Sequence, residues 1–198
     1  MPVALTREKQ WTADEFLAAD QRSFGDAWRY ELVEGRIVAH AAPAPEHGAI
    51  GAGLTGVLAR LLAGKPGGCR PEIGSGAAPN AAQRNTARIP DVMVRWGQHP
   101  RVVFEVISPH ELRDWQGRDL KLRHLQALEG IQEFVELFQD DFAAHVYRLA
   151  PDGAWTFETL GGPEAELRLD SIALRVKLSE IYIFAEIPPS DPADSAQA

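Results

Sequence analysis

The run Arg101-Val-Val-Phe-Glu-Val-Ile107 limits what this chain can fold into more than any other segment. It is apolar on both alternating faces except at Glu105, the pattern of a central strand covered on both sides. Such a strand requires packed layers on each face of its sheet. A carboxylate within it is costly to bury unless it is paired, hydrogen-bonded or bound to a cation. Either Glu105 lies near the strand's end and meets solvent or an arginine, or it has a job there.

A second strand is expected over residues 88 to 95, in Arg88-Ile-Pro-Asp-Val-Met-Val. Asp91 follows a proline, and Pro-Asp is common at strand entries as a turn element. Taken with Glu105 it reads differently. An Asp at the start of one strand and a Glu within the next can converge if the strands are adjacent. Magnesium asks for few protein carboxylates, several waters and a phosphate oxygen. The backbone carbonyl of Val106 could add a ligand. Lys121 follows on an amphipathic helix expected over residues 112 to 128. A helical wheel places it near Asp114, Arg118, Leu125 and Leu128. It either turns toward the sheet or pairs with Asp114 and extends its head to water.

The remaining elements frame this core. Trp11-Thr-Ala-Asp-Glu-Phe-Leu reads as a short helix with Thr12 as N-cap and Glu15 closing a capping box. Two strand-like runs flank Glu34-Gly35, a two-residue hairpin signal. Residues 46 to 63 carry apolar residues at helical spacing. Their glycines Gly48, Gly51, Gly53 and Gly56 suit close backbone packing against a sheet. A short strand is expected near residues 70 to 74. Further strands are expected at 132 to 138, 143 to 149, 154 to 160 and 172 to 176, and a closing helix from Ser179 to Ala185. The expectation is a single domain over residues 1 to 187 and a disordered tail over 188 to 198.

Composition narrows the function. One cysteine, Cys69, excludes an internal disulfide and a thiolate cluster. The histidines lack zinc-binding spacing, and phosphate-binding and dinucleotide-binding glycine loops are missing. The opening residues have no signal-like apolar core, and no long apolar run suggests a membrane span. A cytoplasmic protein with no membrane contact is expected. Net charge is −8, which disfavours a polyanion as partner of the whole surface. Residues 84 to 123, however, hold eight Lys or Arg and five acids, a local balance of +3. Arg88 and Arg118 within them are candidate substrate contacts.

These segments resemble the PD-(D/E)XK nuclease superfamily, and more closely the Uma-two family of restriction-endonuclease-like proteins. The likeness spans about residues 11 to 187. It rests on Trp11-Thr-Ala-Asp-Glu-Phe-Leu, Tyr30-Glu-Leu-Val-Glu-Gly-Arg-Ile-Val, Pro45-Glu-His47, Pro90-Asp91-Val and Val103-Phe-Glu-Val-Ile-Ser-Pro109. Lys121, Ile131-Gln-Glu-Phe-Val and Leu178-Ser-Glu-Ile-Tyr182 complete it. The resemblance implies an α/β (α+β) fold: a mixed, restriction-endonuclease-like sheet flanked by helices, with an N-terminal β-hairpin. It implies Asp91 and Glu105 as metal ligands. The superfamily's usual lysine position, two residues after the glutamate, holds Ile107 here. In Uma-two-like chains the following helix carries the lysine, which matches Lys121. The Gly-Glu pair often found before that lysine is Asp119-Leu120 here. Glu31 is implied as an additional catalytic acid and His47 as a substrate-facing or proton-handling group.

The expectation is then a Mg²⁺-dependent (or Mn²⁺-dependent) endonuclease that hydrolyses DNA by a metal-activated water. A homodimer would suit cleavage of both strands. Two alternatives stay open: a catalytically silent nuclease-fold binding or scaffold module, and a phosphodiesterase acting on small nucleotides.

Overall fold

The computed structural model describes residues 9–65, 68–79 and 84–187. The tail expected to be disordered lies outside the described residues. Helix α1 (Ala13–Ala18) opens with the anticipated capping box: Thr12 accepts from the Glu15 amide, and Glu15 accepts from the Thr12 amide. Strands β1 (Arg29–Val33) and β2 (Arg36–His40) form the hairpin. Its turn residues Glu34 and Gly35 both have positive φ, 49° and 84°. A primed two-residue turn requires that of both. The hairpin and α1 share a small core of Phe16, Tyr30, Leu32, Ala87 and Ile89.

Helix α2 (Pro45–Leu62) follows, then β3 (Arg70–Ile73), β4 (Val92–Trp96) and β5 (His99–Ile107). The expected strand over 88 to 95 starts later, at Val92. Arg88 instead forms an isolated bridge with Ala77, and Ala87 one with Leu32. Helices α3 (Pro109–Arg113) and α4 (Trp115–Gln126) replace the single helix expected over 112 to 128. The break falls at Asp114 (φ −89°, ψ 65°), whose side chain caps the Gly117 amide. The chain continues through β6 (Glu133–Phe138), β7 (Ala143–Leu149), β8 (Trp155–Gly161), β9 (Glu166–Leu169), β10 (Leu174–Lys177) and α5 (Leu178–Ile181). Strand β9 was not anticipated.

The six-stranded sheet has the order β3-β4-β5-β6-β7-β8 and is mixed, because β5 and β6 run parallel and the other neighbours antiparallel. A parallel pair needs a crossover, and α3 with α4 supplies it. On one face α2, α5 and the β9-β10 ribbon pack on Val92, Phe104, Val106, Val135 and Leu137. On the other, Leu125 and Leu128 at the end of α4 cover Met93, Val103 and Phe134. Strand β5 is therefore central and sandwiched. Among the described residues no helix is long and apolar enough to cross a membrane.

The glycines of α2 differ from expectation. Only Gly53 sits at a close approach, and against α5 rather than the sheet: an added Cβ would lie 2.0 Å from the Ile181 carbonyl oxygen. At Gly48, Gly51 and Gly56 a Cβ would meet none of the described residues within 4 Å. Gly51→Ala is thus expected to raise stability by up to about 1 kcal/mol. Gly53→Ala should lower it by about 1–3 kcal/mol. Urea-unfolding midpoints of the two variants should move in opposite directions; equal shifts would refute this account of α2.

Candidate active site

Asp91 enters β4 just beyond Pro90, opposite the end of β5. Its Oδ2 accepts the Val106 backbone N–H at 2.9 Å. Its Oδ1 accepts from Arg29 Nη1 at 2.8 Å, and His47 Nε2 lies 3.1 Å from Oδ2. Hairpin, α2 and β5 therefore all meet this carboxylate. Burial acts to raise its pKa, but His47, Lys121 and Arg29 outweigh that and hold it well below the usual carboxylate range.

Glu105 has the same side-chain parity as Val103 and points to the α4 face. Its side chain is 3% exposed. Lys121 Nζ donates to Oε2 at 2.8 Å, while Oε1 is buried without a hydrogen-bond partner among the described residues. Burial, reinforced by the charge of Asp91, pushes Glu105 up to about 8 against the pull of Lys121. The ammonium remains charged: burial works against it, but Glu105, Glu31 and Asp91 raise its pKa above the ordinary lysine value.

In β5 the Val106 N–H faces the β4 edge, where Asp91 receives it. A strand residue presents its N–H and C=O to the same edge in an antiparallel pair. The Val106 carbonyl therefore also faces that edge. Ile107 has the opposite sense, and its carbonyl accepts from Gln139 beyond β6.

Glu31, from β1, is fully buried. Its Oε2 accepts from Arg88 Nη1 at 2.9 Å and its Oε1 from the Ile89 amide at 2.9 Å. His40 Nε2 is 3.2 Å from Oε2 but makes no hydrogen bond of good direction. Burial raises the Glu31 pKa, but Lys121, His40 and Arg88 together bring it far below normal. Arg88, expected at the substrate, is instead buried: its guanidinium is spent on Glu31 and on His124 Nδ1. A loop held between the hairpin and Ala77 turns it inward.

Arg118, also expected at the substrate, is part-buried and grips Glu136 with two nitrogens, Nε at 2.7 Å and Nη2 on the second oxygen. Tyr147 donates to the same carboxylate at 3.2 Å, and His145 Nδ1 lies 3.3 Å away. Glu136 is the register partner of Glu105 across the β5-β6 pair, and His145 is its partner in β7. Glu105, Glu136 and His145 thus form one polar row across three strands, with Asp91 just before β4 beside Glu105. Above it, α4 places Arg118 and Lys121 three residues apart. Each cation reaches its own strand's carboxylate, Lys121 that of Glu105 and Arg118 that of Glu136.

The two proposed ligands open into different clefts. Asp91 lines a cleft of about 660 Å³ together with Trp28, Arg29, His47, Gly51 and Ile73. Glu105 lines a second, of about 370 Å³, with Glu31, Arg118, Lys121 and Glu136. The structure thus brings Asp91, Glu105, Glu31, Lys121 and His47 into one electrostatic cluster, with Arg88 buried at its edge and held by Glu31. Sequence reasoning missed Arg29 and Glu136. Nothing local marks Arg29, whose partner is 62 residues away. Glu136 carried the same signal as Glu105, a lone carboxylate in the apolar run Phe134-Val-Glu-Leu-Phe.

Could a cation sit here? Glu105 Oε1 is a buried acceptor with nothing bound to it, and an incoming cation would satisfy it. Among the described residues no group of three or more His, Cys, Asp or Glu side chains is gathered to hold a metal. A zinc cage is built from three or four such groups, whereas magnesium binds through one or two carboxylates and keeps several waters. Glu105 Oε1 is the acceptor that such an ion would meet first.

Comparison with known proteins completes the description. The family model Uma2, described as "putative restriction endonuclease", matches residues 13–179. None of the curated proteins matches. A solved structure of a putative nuclease belonging to DUF820 from Anabaena variabilis superposes with a TM-score of 0.67. The match covers 88% of this chain and 98% of that one at 20% identity, and speaks for the fold.

Proposed function

The chain belongs to the Uma2 family of restriction-endonuclease-like proteins, and on that premise we propose that it is a magnesium-dependent deoxyribonuclease. The observation that carries the proposal is Glu105, a buried carboxylate with one oxygen on Lys121 and the other unpartnered. Asp91, Glu105 and the Val106 carbonyl would hold the ion, with Mn²⁺ as substitute. The ion would acidify a bound water and neutralise phosphate charge.

The side chains supply the rest. Lys121, its pKa raised by the carboxyl groups around it, orients the attacking water or offsets charge developing on phosphorus. Arg29 and His47 fix the rotamer of Asp91, whose two oxygens they and Val106 share. Glu31 raises the proton affinity of Lys121 from behind and anchors the hairpin to Arg88. A homodimer would present two such sites to the two strands of a duplex.

The test is cleavage of plasmid and oligonucleotide DNA with Mg²⁺ or Mn²⁺, set against EDTA. Metal-dependent nicking is the expected result; no cleavage of any DNA form with either metal would end the enzymatic reading. A second reading, a silent nuclease-fold scaffold, is favoured by the ion pairs that already occupy Asp91 and one oxygen of Glu105. Titration calorimetry separates the two, since a scaffold takes up no divalent cation.

A further inference from the structure

We infer that the cleft beside Asp91 receives the base of an unpaired DNA nucleotide, stacked on Trp28, which makes single-stranded or locally opened DNA the preferred substrate. The inference rests on the reading of Asp91 as ligand of the cation that meets the scissile phosphate. Its own support is different. The cleft measures about 660 Å³, with Asp91, Arg29 and His47 at its inner end. That volume lies in the range of small-ligand sites. Two large apolar side chains stand open on it: Trp28 and Ile73 are each 68% exposed. Helix α2 lines the same cleft, where Gly48 and Gly51 present bare backbone. Helical glycines that serve no packing contact cost stability, and here they leave the cleft clear of side chains at two positions.

Charge argues for the same occupant. A protein that tracks duplex DNA typically neutralises several phosphates with free cations. The Arg and Lys side chains lining the two clefts, Arg29, Arg88, Arg118 and Lys121, each face a carboxylate: Asp91, Glu31, Glu136 and Glu105 respectively. Net charge is −8. With so few free cations inside the clefts, affinity there has to come from elsewhere. Base stacking on an aromatic ring supplies it without regard to sequence, provided that the base is out of the duplex.

The experiment measures fluorescence anisotropy of a labelled thymidine dodecamer, alone and annealed to its complement, with Ca²⁺ in place of Mg²⁺ to hold phosphate without turnover. The full chain is compared with Trp28→Ala and with Gly51→Leu, which fills the cleft from a helical position that has room for it. The single strand is expected to bind at least about tenfold more tightly than the duplex. Each variant should weaken single-strand binding by roughly 5- to 150-fold, with circular dichroism unchanged. Equal affinity for strand and duplex, or single-strand affinity untouched by both variants, overturns the assignment. Single-strand binding lost in both variants, in a protein that cleaves nothing with Mg²⁺, leaves the cleft assignment standing and removes the nuclease reading. Metal-dependent cleavage with neither variant affecting binding does the reverse.

Discussion

Asp91→Asn is expected to lower magnesium-dependent cleavage by about a thousandfold while the protein stays folded. The magnitude follows from removing a group aimed at charge in the transition state, and here the same change strips the cation of a ligand. Asparagine keeps the shape and one oxygen, so the Val106 N–H keeps an acceptor. The Arg29 guanidinium loses its charged partner but still senses Glu105 and Glu31. Lys121→Met provides the contrast. It removes the ammonium without removing a ligand, so cation uptake by calorimetry should persist while kcat falls. Wild-type rates in Asp91→Asn would dismiss the site. Lost cation binding in Lys121→Met would show that the lysine shapes the pocket rather than acting in it.

Glu105→Gln should make the metal-free protein more stable, and increasingly so as pH rises. The sign follows from the raised pKa. An ordinary glutamate titrates near 4.5, whereas burial pushes Glu105 to about 8. Between those values the native state holds a proton that the unfolded chain has lost. Stability from this group is complete below about pH 4.5 and drains away as pH climbs toward 8, by about 1 kcal/mol per pH unit. Glutamine has no proton to lose. In EDTA the variant and its parent should therefore have similar melting temperatures near pH 5. By pH 8 they should diverge by on the order of 3 kcal/mol, or roughly 10 °C for a chain of this size. Parallel pH curves would show that Glu105 is ionised throughout and that Lys121 fully compensates its burial. The same proton has to leave when a cation arrives, so divalent-ion affinity should rise with pH over this interval.

Local signals carried much of the fold. The Thr12–Glu15 capping box, the Glu34-Gly35 turn and the doubly covered strand around Glu105 each depend on near neighbours, and each is present as expected. Asp114 was misread because a residue at helical spacing can equally cap a new helix, which it does for Gly117. Strand β9 was legible in the alternation of buried Leu167 and Leu169 with exposed Glu166 and Arg168, but a short ribbon among turn residues is easily passed over. Of the site, Asp91, Glu105 and Lys121 could be nominated from pattern and resemblance, because each sits in or beside an apolar run. Arg29 could not, since its pairing with Asp91 depends on how the hairpin docks. Arg88 illustrates the converse: it was a candidate substrate contact in a basic neighbourhood, and tertiary structure folded the side chain inward onto Glu31.

The opening of Asp91 and Glu105 into separate hollows has a mechanical consequence. A polymer that entered both would have to turn from one into the other. A supple strand does so at little cost, whereas double-stranded DNA resists curvature over short lengths. Local melting, nicks and frayed ends would relieve that stiffness, so damage or processing of the polymer would itself act as the gate to hydrolysis.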